Sequence, residues 1–523
     1  MKEYIVALKE GVNYAQVWDD IENLSPGLPH IPERAIGIAD NLDALDRVTH
    51  YYLTDAEAEE IRQDPRVLGV EIPAEHRPEI GIALNSIQQN VFTKTSLSTG
   101  DYVNWGLVRN SNATNVYGNS TTTNSNYNYT VDGSNVDVVI VDSGIQANHP
   151  EFQYAGNSTS RLQQYVWYAG LDPATYYTDT NGHGTHVAGI AAGKTYGWAK
   201  NANIYALKYS GLTMSQIANY IITWHNAKSV NPVTGVKNPS IVNMSFGYIL
   251  PLNQSTQPGY SVYYNIANVT YQGGSTVNSP GYGSSSPYGL VFGQDIIPYW
   301  NETYNTPIVQ MTDAGIVVCK SAGNDSQKVA LPGTTDWNNY VWLTYQANAV
   351  PAGTAFYMRG GSPSSSTESV RGNAIIVGAL DSTTYSSTLD KKASYSMAGP
   401  GVDIFAAGSN IMSSCSNVEA LPQTPGDYYW NTSFKQINIS GTSMSSPQVA
   451  GIAALIAQAN PTATPAQVKN RLLTVATTTM IGNVATNPSG TDYGNTVSQW
   501  GGNAGVAYMT YNSVNPLIIV GSN

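Results

Sequence analysis

Charged residues are scarce in this sequence. Asp, Glu, Lys and Arg make up only 11% of its 523 residues, and the acidic ones outnumber the basic ones, which gives a formal net charge of −12. Nucleic-acid-binding surfaces are basic, so we expect no nucleic-acid partner. The sequence also lacks a run of about 18 apolar residues, the length that a membrane-spanning helix needs, and we expect no membrane partner.

Cysteine and a targeting segment are lacking as well. Cys319 and Cys415 are the only two cysteines, which excludes a scaffold built on several disulfides, and we interpret both as free thiols. The N-terminal stretch MKEYIVALKEGVNY has a very short apolar run instead of the roughly 7–15 apolar residues of a signal peptide. We therefore expect no secretion signal.

Residues 1–78 hold a disproportionate share of the charges and show strand and helix patterns in turn. Strand-like runs such as YIVAL and VLGVEI flank two helical segments and a further strand. The second helical segment opens with Thr54 and Glu57, the spacing of a capping box. This order predicts a small α+β domain, followed at residues 79–130 by a linker and an irregular segment.

From residue 131 to residue 523, short apolar runs alternate with helical patterns. Runs such as VDVVIV, IVNMS and AIIVGAL contain few polar residues, as expected of strands buried on both faces. The alternation predicts an α/β domain with a mainly parallel central sheet and helices on both faces. Two segments, at about 248–306 and 326–372, are too long for ordinary connections, and we interpret them as insertions.

Three polar residues stand where such a sheet carries catalytic groups, at strand ends and helix starts. Asp142 ends a buried run, His183 lies between glycines at the start of a helix, and Ser443 opens another helix. A serine hydroxyl needs a base, an imidazole suits that task, and a carboxylate orients the imidazole. Asp142 alone is typical of a cap or a turn and Ser443 alone of a cap, but together with His183 they predict a nucleophilic triad.

Asn324 adds an electrophilic partner to this set. It lies in the small-residue turn of VVCKSAGND, directly after a buried strand. Its side-chain amide and the backbone N–H of Ser443, at a helix N-terminus, can both donate to the oxyanion that forms during acyl transfer.

Four motifs resemble those of the subtilisin-like serine proteases, the subtilase family. VDSGI matches the Asp motif, NGHGTHVAG the His motif, SAGND the oxyanion motif and GTSMSSPQVAG the Ser motif, where the family usually has His at the position of Gln448. The resemblance implies a serine endopeptidase that hydrolyses peptide or protein substrates through an acyl-enzyme. It also implies substrate contacts at Ser245, Phe246, Gly247, Ala322 and Gly323.

Residues 1–78 resemble the inhibitory propeptide of the same family, most clearly in YIVALKEGV and LTDAEAEEIRQDPRVLGVE. The resemblance implies an intramolecular inhibitor that the enzyme removes by self-processing, with the cut near Glu79 by length. The family's calcium-binding loop after the His motif is absent, since AAGKTYGWAKNA is short and has no carboxylate. We therefore expect no metal and no cofactor.

An alternative is a structural protein of a virus particle or another assembly, built on a latent or inactive subtilase scaffold. The low charge and the many Ser, Thr, Asn, Gly and Tyr residues are similar to the composition of bacteriophage virion proteins, some of which carry subtilase domains. Its partners would then include other virion proteins. Both hypotheses locate the protein in the cytoplasm of the producing cell or in an assembled virus particle.

Overall fold

The computed structural model describes most of the chain as far as residue 476. Most of the predicted linker at 79–130, the cut near Glu79 and large parts of both predicted insertions lie outside the described residues. The described residues are 1–23, 25, 27–40, 42–76, 81–84, 104–110, 131–154, 157–171, 175, 177–251, 264–270, 276–278, 296–298, 302–325, 327–333, 337, 340–345, 355–357, 372–384, 390–421, 424–428 and 430–476.

The N-terminal region folds as a small α+β domain. Its elements are β1 (Lys2–Leu8), α1 (Tyr14–Glu22), β2 (Ile38–Asp40), β3 (Val48–Leu53), α2 (Asp55–Arg62) and β4 (Val67–Glu71). The strands form an antiparallel sheet in the order β2-β3-β1-β4. The capping box of Thr54 and Glu57 is present at the start of α2. The sequence did not predict the short strand β2 or the 3-10 helix at Ala74–His76.

Strand β1 contributes to two hydrophobic cores because its side chains alternate between the faces of the sheet. Tyr4, Val6 and Leu8 pack into a core that includes residues of α1 and α2. Ile5 and Ala7 point to the opposite face and belong to the large core of the remaining chain. The N-terminal domain therefore has its own core and is also docked onto the rest of the protein by apolar burial.

The remaining described chain supplies the other elements. They are β5 (Gly81–Leu84), α3 (Trp105–Arg109), β6 (Asp137–Asp142), α4 (His183–Ala192), β7 (Asn203–Lys208), α5 (Met214–Ala227), β8 (Ser240–Met244), β9 (Phe246–Pro251), β10 (Tyr264–Thr270), β11 (Thr276–Asn278), β12 (Ile296–Pro298), α6 (Glu302–Asp313), β13 (Val317–Ser321), β14 (Tyr340–Tyr345), β15 (Ala355–Tyr357), β16 (Ile375–Thr384), β17 (Asp390–Lys392), β18 (Ile404–Ala407), β19 (Ile411–Cys415), β20 (Gly426–Asp427), β21 (Lys435–Ile439), α7 (Thr442–Ala459) and α8 (Pro465–Val475). Within the described residues, none of the helices has the length and apolarity needed to cross a membrane.

A seven-stranded sheet forms the centre of the molecule. Its strands follow the order β17-β16-β13-β8-β6-β7, and β18 lies beside β16. All neighbouring pairs are parallel except β16 and β17. Helix α4 packs against α7, and α5 packs against α6. The predicted α/β architecture is confirmed, and it brings Asp142, Ser245 and Asn324 to the same edge, because parallel strands β6, β8 and β13 end there.

Two short elements occur inside the segment that was predicted to be a linker. Strand β5 pairs antiparallel with β9, so that Leu84 lies opposite Phe246 and Gly81 lies opposite Ile249. Helix α3 begins after Asn104, whose side chain accepts from the N–H of Gly106. The local composition did not predict either element, because both depend on partners that are distant in the sequence.

The two predicted insertions meet in the structure. Strand β10 comes from the first and β14 from the second, and the two pair antiparallel. Strands β11 and β15 complete a four-stranded sheet in the order β11-β10-β14-β15. Described parts of the two predicted surface insertions therefore form one added sheet, whereas β12, also in the first of them, pairs with β9.

Candidate active site

Asp142 and His183 form a buried hydrogen-bonded pair. Asp142 is the last residue of β6 and His183 is the first residue of α4. Nδ1 of His183 lies 2.8 Å from Oδ1 of Asp142, and both side chains are fully buried. Gly182 leads into the helix with φ of 89°, a left-handed conformation that favours glycine. Nε2 of His183 has no hydrogen-bond partner among the described residues, so it is available to a reacting group.

Asp179 links the two segments that carry this pair, and the sequence analysis missed it. Its buried carboxylate accepts five hydrogen bonds from the start of α4 and from the residue after Asp142. The donors are Ser143 Oγ (2.9 Å), Asn181 N (3.0 Å), Gly182 N (2.9 Å), Thr185 N (2.9 Å) and Thr185 Oγ1 (2.6 Å). An Asp just before a predicted helix is a capping signal, and that signal could have identified it.

Ser443 lies in the first turn of α7 and faces the end of β8. Its Oγ donates to the carbonyl oxygen of Ser245 at 2.8 Å, and Oγ of Ser245 donates back to the carbonyl of Ser443 at 3.1 Å. The neighbouring hydroxyls have other partners, since Ser445 bonds to the carbonyl of Thr442 and Ser446 to Oδ1 of Asn243. Of the three serines in this turn, only Ser443 is therefore hydrogen-bonded to Ser245.

Asn324 is held with its amide group in a fixed orientation. Its Oδ1 accepts from the N–H of Thr442 at 2.9 Å and from the hydroxyl of Thr442 at 2.8 Å. Nδ2 is thereby left as the free end of the amide, and it is buried without a partner among the described residues. A buried donor without a partner is unusual in a folded protein. It is expected here, beside the residue preceding Ser443, if an oxyanion is to be bound there.

The strand predicted to bind substrate begins beside Ser443. Ser245 bonds to Ser443, while Phe246 and Gly247 open β9 and lie opposite Leu84 and Ala83 of β5. The ring of Phe246 stacks on Tyr209, with centroids 5.0 Å apart. An edge of β9 is therefore already paired with an extended segment of the same chain, as it would be with a peptide.

Ala322 and Gly323 lie between β13 and Asn324, but their N–H groups already have partners. The N–H of Ala322 donates to Val377 O at 2.9 Å, and the N–H of Gly323 donates to Oγ1 of Thr442 at 3.2 Å. Any backbone bond from these two residues to a substrate would therefore use their carbonyl groups.

Two further ionisable residues are buried next to these segments. Nζ of Lys320, on β13, donates to the carbonyl of Phe246 at 3.0 Å, and burial lowers the pKa of Lys320 to about 8. Burial raises the pKa of Asp325, the neighbour of Asn324, to about 7. Neither residue can be recognised as buried from the sequence, because a lone Lys or Asp has no motif that indicates its burial.

Gln448, where the family usually has histidine, belongs to a structural network. Its Oε1 accepts from Nε1 of Trp198 at 2.7 Å, and its Nε2 donates to Oδ1 of Asn104 at 3.0 Å. Asn104 also donates to the carbonyl of Tyr196 at 2.9 Å. The side chain therefore ties α7 to the start of α3, and these hydrogen bonds do not involve Asp142, His183 or Ser443.

The region after α4, where the family carries calcium, is occupied by protein groups. Oε1 of the buried Glu151 accepts from the N–H groups of Thr195 and Tyr196 at 2.6 and 2.8 Å, and Oε2 accepts from the hydroxyl of Tyr428 at 2.9 Å. The ammonium of Lys200 donates to the carbonyls of Lys194 and Thr195 at 3.0 and 3.2 Å. These oxygens are already used, so the described residues do not fit a cation here.

Comparison with known proteins agrees with the motifs. Residues 133–495 match the profile of the peptidase S8 family, described as the subtilase family. An extracellular serine proteinase of Thermus sp. (strain Rt41A) is 29% identical over 435 residues, which cover 82% of this chain and 70% of that protein. The subtilisin-like serine protease AsES of Sarocladium strictum is 28% identical over 499 residues, with coverages of 93% and 87%.

Solved structures of subtilisin-related proteases are also similar to this chain. Fervidolysin from Fervidobacterium pennivorans, described as a keratinolytic enzyme related to subtilisin, superposes with a TM-score of 0.47 at 18% identity and covers 96% of this chain and 60% of its own. A cold-adapted subtilisin-like serine proteinase gives a TM-score of 0.43 at 22% identity, with coverages of 78% and 98%.

Proposed function

The chain belongs to the subtilase family and is a subtilisin-like serine endopeptidase that acts on protein substrates, and from that premise we propose that Asp142, His183 and Ser443 are its catalytic residues. Oγ of Ser443 attacks the scissile carbonyl while Nε2 of His183 accepts the hydroxyl proton. The imidazolium then gives this proton to the leaving amine, and an acyl-enzyme remains on Ser443. A water molecule, deprotonated by His183, hydrolyses this ester and restores the serine.

Asp142 has the task of orienting the imidazole and stabilising its protonated form. The observation that carries the proposal is the 2.8 Å bond between Asp142 and Nδ1 of His183, together with the unpaired Nε2 on the opposite side of the ring. Nδ2 of Asn324 and the backbone N–H of Ser443 serve as the oxyanion donors. Support for Asn324 comes from its amide, which Thr442 fixes through the oxygen and leaves unpaired at the nitrogen.

A fluorophosphonate probe tests the nucleophile directly. We expect the mature wild-type protein to be labelled on Ser443 and the Ser443→Ala variant to remain unlabelled. Ser445→Ala is the matched control, because this hydroxyl lies in the same turn but bonds to the carbonyl of Thr442, and it should be labelled like the wild type. Absence of label on mature wild-type protein would contradict the proposal.

We further propose that the N-terminal domain is an intramolecular inhibitor that the enzyme removes from itself. Support comes from β5, which follows this domain and pairs antiparallel with β9. Ser245, directly before β9, accepts the hydroxyl bond of Ser443. A further tie is the 2.9 Å bond from the hydroxyl of Tyr248, in β9, to the carboxyl of Glu75. Strand β5, which comes after the domain in the sequence, thus pairs with β9 next to Ser443, in the way that a bound substrate would.

The register of β5 also predicts where the cut falls. Leu84 lies opposite Phe246, so a peptide in this register reaches the level of Ser245 with its next residue. We therefore expect hydrolysis between Asn85 and Ser86 rather than near Glu79, the position that length alone suggested.

Contacts of Asn104 indicate that the cut must lie before this residue. Asn104 is bonded to Gln448 of α7, so the chain from Asn104 onward belongs to the mature fold. Intact mass and N-terminal sequencing of purified protein should give a mature chain beginning at Ser86, and the Ser443→Ala variant should keep Met1. A mature chain that begins before β5, or an identical cut in Ser443→Ala, would count against self-processing at this register.

A structural role in a virus particle or another assembly is the second candidate. It is favoured by the scarcity of charge, at 11% of residues, and by the added sheet that joins the two insertions. Under this candidate function, the protein would be located in an assembled virus particle or in the cytoplasm of the producing cell. Sedimentation of the uncut Ser443→Ala protein tests it, since an assembly protein should form a defined oligomer and a monomer at all concentrations would contradict it.

A further inference from the structure

Lys320 is a buried lysine whose ammonium lies next to β9, the strand that pairs with β5. It lies on β13, between Met244 of β8 and Ile376 of β16, and its residue is only 5% exposed. Within the described residues its ammonium makes one hydrogen bond, to the carbonyl of Phe246 at 3.0 Å. An ammonium has three N–H donors, so two of them are left for another partner.

The face of β9 on which this ammonium lies can be read from two contacts. The ring of Phe246 stacks on Tyr209, and successive residues of a strand point to opposite faces. A Cβ atom placed on Gly247 would lie 3.9 Å from Nζ of Lys320. The ammonium therefore lies on the face of Gly247, where the missing side chain leaves room beside it.

The substrate residue whose carbonyl is attacked points its side chain to this same face of β9, the face of Gly247 and Lys320. Gly247 lies opposite Ala83, and residues directly opposite each other in an antiparallel pair share a face. The substrate residue two positions beyond the one opposite Gly247 shares that face as well, because the period of a strand is two. In this register that residue is level with Ser245, the partner of Ser443, so it carries the carbonyl that is attacked.

A buried ammonium with unused donors calls for an acceptor oxygen. The acceptor that reaches it during turnover is the side chain of the substrate residue just described. An aliphatic side chain would leave two N–H donors of the ammonium without a partner, whereas the carbonyl of Asn or the carboxylate of Asp or Glu would accept from one of them.

We propose that Lys320 is a specificity-determining residue of this protease, and that its ammonium binds the side-chain oxygen of an Asn, Asp or Glu residue whose carbonyl Ser443 attacks. The inference rests on the proposed roles of Ser443 and β9 and adds the class of residue that is cut. The chain's own residue after Leu84 is Asn85, which has the required side-chain oxygen.

Four fluorogenic peptides test the proposal, each with the sequence Ile-Ala-Leu-X before the leaving group, where X is Asn, Asp, Glu or Leu. Assays at pH 6.5 keep Lys320 charged, because its pKa is about 8. We expect mature wild-type enzyme to cleave the peptides with a side-chain oxygen with kcat/KM about 10–100-fold above that of the Leu peptide, as one charge-assisted hydrogen bond allows. If kcat/KM is higher for the Asp and Glu peptides than for the Asn peptide, the contact depends on the charge of the carboxylate. If it is higher for the Asn peptide, the contact is to the amide oxygen.

Lys320→Met should abolish this preference and raise cleavage of the Leu peptide relative to the others. Lys392→Met is the matched control, because Lys392 is also buried and donates to backbone carbonyls, those of Ala393 and Ser396, and it should keep the preference. A Leu peptide cut as well as the others by wild-type enzyme overturns the proposal, even if the variant does not fold. An unchanged preference in folded Lys320→Met overturns it too.

The failure of this inference can be told apart from failure of the proposed function. Fluorophosphonate labelling of Ser443 does not depend on the residue X. A labelled wild-type enzyme without preference for a side-chain oxygen would reject only the role of Lys320, whereas an unlabelled mature enzyme would reject the catalytic assignment itself.

Discussion

The substitution Asp179→Asn tests whether one buried carboxylate aligns the proposed catalytic pair. Asp179 joins the residue after Asp142 to the first turn of the helix that carries His183, through five hydrogen bonds. Asparagine has nearly the same shape, but its amide nitrogen would replace one of the two acceptor oxygens. If the amide nitrogen took the place of the oxygen that Thr185 contacts, the N–H and the hydroxyl of Thr185 would face a donor instead of an acceptor.

The size of the effect follows from the bonds that are lost. The oxygen that Thr185 contacts accepts two of them, at 2.9 and 2.6 Å. Each hydrogen bond to a charged group contributes about 1.5–3 kcal/mol, so we expect the free energy of unfolding to fall by about 3–6 kcal/mol. A displacement of a catalytic group by about 1 Å lowers the rate on the order of 100-fold. We therefore expect kcat to fall by about that factor, with little change in KM, because β9 is not touched.

Urea unfolding measures the first effect, in a Ser443→Ala background that prevents autolysis, and steady-state cleavage by the active enzyme measures the second. Asp381→Asn is the matched control. Oδ1 of Asp381 accepts from the N–H and the hydroxyl of Thr383 at 2.8 and 2.9 Å, but these bonds are exposed, near the end of β16, and we expect a loss of less than about 1 kcal/mol. If Asp179→Asn unfolds and turns over like this control, the carboxylate does not align the pair.

Three further predictions follow from other contacts. Asn324→Ala should lower kcat on the order of 10²–10³-fold, the size known for this oxyanion donor in subtilisin, a member of the same family, with KM nearly unchanged in steady-state assays. Burial lowers the pKa of Lys200 to about 8, below the roughly 10.4 of an unfolded lysine. Unfolding therefore takes up a proton between about pH 8 and 10.4, and in a urea series the unfolding free energy of the wild type should rise over this interval relative to that of Lys200→Met. Gln448→His should lower the unfolding free energy by about 1–3 kcal/mol through the lost bonds to Trp198 and Asn104, and an unchanged urea midpoint would contradict the structural role of this network.

Local patterns in the sequence predicted the main sheet and the paired residues Asp142 and His183. Strands β6, β8, β13 and β18 of this sheet are buried along their whole length, so each is a mainly apolar run that can be recognised without its partners. The capping box of Thr54 and Glu57 was equally visible, since both of its hydrogen bonds are local.

Contacts between distant residues could not be predicted in this way. Asn104 and Gln448 are 344 positions apart, and nothing near either residue specifies the other. The same holds for the pairing of β10 with β14 and of β5 with β9, because the register of an antiparallel pair depends on both strands. Lys320 was missed for a related reason, since a lysine in an apolar run does not reveal whether its ammonium reaches solvent or a buried carbonyl.

The covalent link between β5 and the chain that begins at Ser86, which the proposed cut breaks, fixes how strongly the N-terminal domain and β5 together compete with other ligands of β9. A tethered ligand has an effective concentration in the millimolar range, so even modest contacts keep β9 occupied while the chain is intact. Once the link is cut, the same contacts depend on the free concentration of the released domain, which has its own core. At about 1 nM, this concentration is roughly a millionth of the tethered value, so under the self-processing proposed above dilution favours release of the domain from β9.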